Sequence, residues 1–303
     1  MNIIAATYNY FPHKYSGGET YMHRLLKGLQ SFGHNCKVAA HTEACIYDGI
    51  EIMSMGGMEN LFKENNEAFQ WADVIFFQLI GNAYGYNKAR QHKKPSIFFA
   101  HNTSKHYYVE NSHVVYNSNF LANKHLFKCL SSTVLQPLVY PEQPVISGFK
   151  ICLINCNYNK GGGILVELAE LMPDEQFLGI RGMYGEQIIG NRSNLEYRDS
   201  SPNMDWSDIK LIICPSEFES WCQVATEAIV RGIPVICSDI EPLRENLSYA
   251  GIYAERKAQA YADTIHNLDF EKQRQLCFKR SAEYNAAGRL NDFNTWLCNT
   301  INK

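Results

Sequence analysis

Short unbroken hydrophobic runs alternate along this chain with longer stretches whose apolar positions recur every three or four residues. That is the pattern of strands buried on both faces and of helices that cover them. Residues 2–7, Asn-Ile-Ile-Ala-Ala-Thr, read as a first buried strand. In residues 20–32, Tyr21, Leu25, Leu26 and Leu29 share one helical face and Gly33 supplies a stop. Strands are expected at 36–40, 72–78, 96–100 and 113–116, and Ser118 or Asn119 caps a helix to about residue 128. The rhythm breaks over 135–149, where Pro137, Pro141, Pro144 and Gly148 crowd together. It restarts with a strand at 150–155, a helix at 163–172 and strands at 176–180 and 209–214. A helix at 224–231, a strand at 233–237 and a helical tail over 272–301 complete it. The expectation is α/β: two Rossmann-like, doubly wound domains, residues 1–147 and 148–283, with a terminal helix of about 284–303 a candidate to pack back on the first. Such sheets bind ligands at the carboxyl ends of their strands, so two domains facing a central cleft would place the chemistry there.

Composition narrows the class. Of 303 residues, 46% are hydrophobic and 19% charged, which excludes collagen, coiled coil and wholesale disorder. No apolar stretch approaches the ~20 residues of a membrane span, so no membrane insertion is expected. The opening residues lack the basic and apolar segments of a signal peptide. Ten cysteines contain no CxxC pair, and Cys152, Cys214 and Cys237 sit in strand-like runs. Free thiols and a cytoplasmic location follow as expectations.

Charge is unevenly spread. Residues 1–150 hold 13 Lys and Arg against 10 Asp and Glu, and the remainder 15 against 21. Nine of ten histidines also fall in the first half. Two units with different tasks fit this split, and so does drift on solvated faces.

Three motifs stand at expected strand ends. Ser16-Gly17-Gly18-Glu19 precedes the first helix, where glycines allow close approach of a ligand and a helix start favours a phosphate; a simple turn is the bland alternative. Asn159-Lys160-Gly161-Gly162-Gly163 opens the first helix of the second half, so Lys160 can reach a diphosphate; a solvated loop lysine is the bland alternative. Neither GxGxxG nor GxxxxGK[ST] occurs, which disfavours a dinucleotide-dependent oxidoreductase. The third motif is Pro215-Ser216-Glu217-Phe218-Glu219-Ser220-Trp221, continuing through Glu227-Ala228 to Gly232-Ile233-Pro234-Val235-Ile236. Carboxylates accept two hydroxyl donors at once, so Glu219 and Glu227 suit the vicinal hydroxyls of two sugar rings.

The pattern Pro-Ser-x-x-Glu-x7-Glu-Ala followed by Gly-x-Pro-Val-Ile-x-Ser resembles the motif region of glycosyltransferase family 4, retaining enzymes of GT-B fold that use nucleotide sugars. Gly17-Gly18, the helix ending Leu29-Gln30-Ser31-Phe32-Gly33-His34, Ala72-Asp73-Val74-Ile75, His101-Asn102 and Lys160-Gly161 fall in that family's order, over residues 1 to about 255. The resemblance implies that Glu227 binds the donor ribose, Glu219 the transferred sugar and Lys160 the diphosphate. It places backbone N–H groups of Ser220, Trp221 and Cys222 on sugar or phosphate, with Gly17 and Gly18 approaching the phosphates. His101 would sit near the transferred sugar, and residues 180–183 by the nucleobase. The family's usual arginine five residues before the lysine is here Asn155, read as a subfamily feature, with Arg181 or Arg192 available to compensate.

The reaction implied is transfer from a nucleoside diphosphate sugar to an acceptor hydroxyl with retention. No cofactor is expected beyond that donor substrate, and no metal, since the chain has no Asp-x-Asp, HExxH or zinc spacing. The acceptor stays open. Lys93-Lys94, Lys105-His106 and Lys124-His125 among Tyr107, Tyr108 and Tyr116 suit a polyanion such as DNA carrying a modified base, and small saccharides, lipid-linked intermediates and polysaccharide chains are the other candidates. A non-catalytic nucleotide-sugar binder and an epimerase of the same fold are the alternatives. The oligomeric state is not legible.

Overall fold

The computed structural model describes residues 1–55, 66–104, 106, 107, 109–125 and 127–301; Lys105 and Tyr108 lie outside the described residues. The chain divides into two units, Met1–Leu138 with Ala286–Lys303, and Val139–Asn285. The division falls within the proline-rich stretch.

The first unit runs β1 (Asn2–Ala6), α1 (Gly17–Ser31), β2 (Asn35–Ala40), β3 (Cys45–Tyr47), β4 (Ile50–Ser54), α2 (Asn66–Trp71), β5 (Val74–Gln78), α3 (Asn82–Gln91), β6 (Ser96–Ala100), β7 (His113–Tyr116), α4 (Asn119–Lys124) and β8 (Ser132–Val134). Its sheet has the order β3-β4-β2-β1-β5-β6-β7-β8, parallel but for the β3–β4 pair. Every residue of β5 and β6 is buried, because helices cover both faces, and this is why these strands read as unbroken apolar runs.

In the second unit the elements are β9 (Lys150–Ile154), α5 (Gly162–Leu171), β10 (Gln176–Arg181), β11 (Leu195–Asp199), β12 (Ile209–Cys214), α6 (Gln223–Ile229), β13 (Val235–Ser238), α7 (Glu241–Leu247), β14 (Gly251–Ala254), α8 (Ala258–His266) and α9 (Phe270–Glu283). The all-parallel order is β11-β10-β9-β12-β13-β14. The final helix, α10 (Ala286–Ile301), returns to the first unit, where Leu290, Phe293 and Leu297 join the core formed with Leu25, Leu26 and Leu29 of α1.

Helices α1 and α4 differ from the sequence pattern at their ends. α1 begins at Gly17, three residues early, because Ser16 closes its first turn: the Ser16 backbone N–H donates to Glu19 Oε2 at 2.8 Å. α4 is capped by Ser118, whose Oγ accepts from Leu121 N at 3.1 Å, but it ends at Lys124 rather than near 128. The sequence pattern gives no expectation for the strands β3, β4, β8, β11 and β14 or for the helices α2, α3, α7 and α8. Among the described residues no helix is long and apolar enough to cross a membrane.

Candidate functional site

Strand order reverses between β9 and β12 in the second unit and between β1 and β5 in the first. In open α/β sheets ligands sit outside the carboxyl ends of the strands at this switch. Each unit brings expected residues together there.

In the second unit the loop after β9 is folded by its own polar groups. Asn157 Oδ1 accepts from the Lys160 backbone N–H at 2.9 Å, and Gly161 takes φ +92. A Cβ on Gly161 would run into Pro215, so glycine is what lets this loop lie against the loop after β12. Glu217 N–H donates to Asn159 O at 2.9 Å across the two loops. Arg256, just before α8, ties both: it donates to Pro215 O at 2.7 Å and Tyr158 O at 2.8 Å, and pairs with Glu217 at 3.0 Å.

These loops bring Lys160 and Glu219 into an ion pair, Nζ to Oε1, at 2.5 Å. The Ser216 hydroxyl donates to the same oxygen at 2.9 Å, which leaves Oε2 without a hydrogen-bond partner among the described residues. The Lys160 and Glu219 side chains are only 20% and 12% exposed. Burial works to lower the Lys160 pKa, yet the Glu219 carboxylate outweighs it and holds the ammonium above its ordinary range. The arrangement offers a fixed cation for a phosphate beside a carboxylate with one oxygen open to a hydroxyl.

Of the other expected second-unit residues, Cys222 lies within electrostatic reach of this pair. Glu227 stands partly exposed on α6. Ser220 is partly exposed, whereas the Trp221 ring is buried and its Nε1–H donates to Thr226 Oγ1 at 3.0 Å. Cys222 takes φ +70 at the start of α6, and its Sγ lies 3.9 Å from that of Cys214. Asn155 is buried at φ +68, a conformation asparagine tolerates better than arginine, and its Oδ1 accepts from Gln187 Nε2 at 3.0 Å. Gln187 Oε1 in turn accepts from Cys156 N at 2.9 Å and Gly182 N at 2.8 Å, so the amide pair clasps the loop after β10. Arg181 is paired with Asp199 at 2.7 Å and Arg192 with Glu170 at 2.7 Å. Both arginines therefore already hold carboxylates.

In the first unit, Gly18 lies against the ends of β5 and β6: a Cβ there would come within 2.9 Å of Leu79 Cδ1 and 3.8 Å of His101 Cδ2. Gly17, one residue before it, is exposed. The His101 Nε2 to Gln78 Oε1 distance is 2.8 Å, and Gln78 Nε2 donates to Thr7 Oγ1 at 3.2 Å. The Thr7 hydroxyl donates onward to Asn9 O at 3.1 Å. This chain of donors assigns the hydrogen of His101 to Nε2 and leaves Nδ1 as an acceptor. Burial pushes the His101 pKa down to about 4, so the ring is neutral at physiological pH.

A pH dependence of stability follows. An unfolded histidine titrates near 6.5, so the folded state gains its full advantage above that pH and loses it progressively as pH falls toward 4. At pH 5 the cost is about 2 kcal/mol. Denaturant unfolding at pH 7.5 and 5 should show a larger loss for the wild type than for His101→Gln; equal losses would contradict the neutral, partly buried ring.

Sequence patterns give no local sign of Arg256, 41 residues beyond Pro215, nor of Gln78, Gln187 and Asn246, whose roles depend on partners far along the chain. Ser216 lay inside the motif, but its bond to Glu219 needed the fold. Among the described residues no group of three or more His, Cys, Asp or Glu side chains gathers to hold a metal ion.

No family model matches this chain. No curated protein matches it either. Solved structures do. The fold is GT-B, two parallel-sheet α/β units, as in glycosyltransferases that share little of the sequence. Sucrose-phosphate synthase from Thermosynechococcus elongatus is similar at TM-score 0.75 and 15% identity, covering 99% of each chain. Anabaena HepE in complex with UDP-glucose is similar at TM-score 0.77 and 14% identity, covering 100% of this chain and 99% of that one. A glycosyltransferase from Rickettsia africae has TM-score 0.73 and 14% identity, covering 100% and 98%.

Proposed function

We propose that this protein is a retaining glycosyltransferase, akin to family 4, that moves a sugar from a nucleoside diphosphate to an acceptor hydroxyl. The observation that carries the reading is the Lys160–Glu219 pair at the strand switch of the second unit, in a GT-B fold. Further support comes from neighbours solved with UDP and with UDP-glucose.

In this reading Lys160 neutralises charge that builds on the departing diphosphate, with backbone N–H groups at the start of α5 beside it. Glu219 accepts hydroxyl hydrogens of the transferred sugar through Oε2. Glu227 holds the ribose. Neutral His101 accepts a substrate hydroxyl through Nδ1 in the first unit, near Gly17 and Gly18. Asn155 shapes the loop after β10 in its clasp with Gln187, and the backbone of Ser220, Trp221 and Cys222 lines the donor. Lys160 supplies the positive charge, so no metal enters the reading. The ten free cysteines suit a reducing compartment, which for us means the cytoplasm.

The test is a donor panel of UDP-, GDP-, ADP- and TDP-sugars, offered with simple saccharides and with DNA carrying hydroxymethylated bases. Transfer from at least one donor, with the anomeric configuration retained by NMR, is expected; inversion, or no turnover of any donor, overturns the reading. Glu227→Ala should weaken donor binding by about 1.5–3 kcal/mol, the loss of charge-assisted hydrogen bonds. Unchanged affinity by calorimetry would remove its ribose role.

A further inference from the structure

We propose that Asn246 is a positioning residue for the donor site, holding the corner at Trp221 and Cys222 from which Glu219 and Glu227 diverge. This rests on the donor reading above. Cys222 carries a side chain at φ +70, a left-handed conformation that non-glycine residues rarely adopt, at the joint between the Glu219 loop and α6. Such a conformation persists only where the surroundings over-determine it.

The surroundings here converge on one amide. Asn246, at the end of α7, is completely buried. Its Nδ2 donates to two consecutive carbonyls, Trp221 O at 2.7 Å and Cys222 O at 2.9 Å. Oδ1 accepts from the Thr226 hydroxyl at 3.0 Å and the Tyr284 hydroxyl at 3.1 Å. All four hydrogen-bonding positions of the amide are thus used, two of them on the strained corner. Thr226 closes the circuit, since its oxygen accepts from Trp221 Nε1 at 3.0 Å. The Asn246 carbonyl is itself fixed by Arg280 Nε at 2.9 Å. Asparagine is required at this point: an aspartate would set a carboxylate against two carbonyls, and an apolar residue would leave both without donors.

The test compares Asn246→Ala, Cys222→Gly and the double variant. Glycine enters the left-handed region freely, so it should hold the corner without the amide. Asn246→Ala is expected to raise the donor KM at least tenfold and lower kcat, and to speed amide hydrogen exchange over residues 215–230. Adding Cys222→Gly should recover several-fold of the lost activity and slow exchange in that segment again. Additive losses, or exchange accelerated evenly across residues 139–285, would overturn the proposal. If Asn246→Ala does not fold, Asn246→Asp keeps the volume and is read the same way. Should the wild type turn over no donor, the donor reading fails, while exchange over 215–230 still decides whether Asn246 holds the corner.

Discussion

Replacing Lys160 with alanine is expected to lower turnover by about two orders of magnitude or more, while donor affinity falls by about tenfold or less. The asymmetry comes from where charge appears. In the bound donor the diphosphate charge is spread and partly solvated. In the transition state more of it gathers on the leaving oxygen, and a fixed ammonium in a partly buried site stabilises that form more. The ion pair with Glu219 keeps Lys160 protonated well above neutral pH, so this cation is present throughout the working range. Removal also leaves the Glu219 carboxylate with the Ser216 hydroxyl alone, so some stability is lost, and rates must be referred to folded protein. Arginine is a poor substitute, because its planar fork does not fit a point-charge site between two loops. Equal loss of kcat and affinity in steady-state and calorimetric measurements would show that Lys160 does not face the diphosphate.

Glu219→Gln should separate two functions that the ion pair joins. Transfer is expected to fall about a hundred-fold, since the amide loses one acceptor and the charge with which the carboxylate grips sugar hydroxyls. Binding of inorganic pyrophosphate or of the bare nucleoside diphosphate should move the other way, tightening several-fold, because Lys160 no longer has its counter-ion at 2.5 Å. Glutamine keeps the shape and can still accept from Ser216, so the loop geometry is preserved. Titration calorimetry with pyrophosphate reads this directly. Weaker pyrophosphate binding alongside the loss of transfer would mean that the pair acts as one structural unit rather than as two ligand groups.

The parts of this fold that bury most apolar surface were the most legible. Central strands such as β5, β6 and β12 are sandwiched between helices, and an unbroken apolar run has few other readings. The edge strand β11 is mostly polar, so Leu195–Asp199 offers no apolar period to follow, and β3, Cys45–Tyr47, is too short to show one. The ends of β6 and β7 follow the apolar runs, and Ser118 marks the start of α4, whereas Ser16 starts α1 earlier than its apolar period shows. At the candidate site, the motifs put Lys160 and Glu219 each after an expected strand, and the pairing of the parallel strands β9 and β12 makes their loops neighbours. Spacing could not tell that Asn155 turns to Gln187, that Arg181 and Arg192 are held by Asp199 and Glu170, or that Asn246 grips the Trp221–Cys222 corner. Those partners lie 18 to 32 residues apart, and only the folded chain selects them from many polar side chains.

The central claim is that a nucleoside diphosphate sugar is held in the second unit with its phosphates on Lys160. A crystal structure of the protein with its preferred donor tests it most directly. The prediction is a diphosphate oxygen within about 3 Å of Lys160 Nζ, a sugar hydroxyl on Glu219 and the ribose on Glu227. A donor bound elsewhere, or Lys160 still closed on Glu219 with the donor's phosphates out of reach, would contradict it.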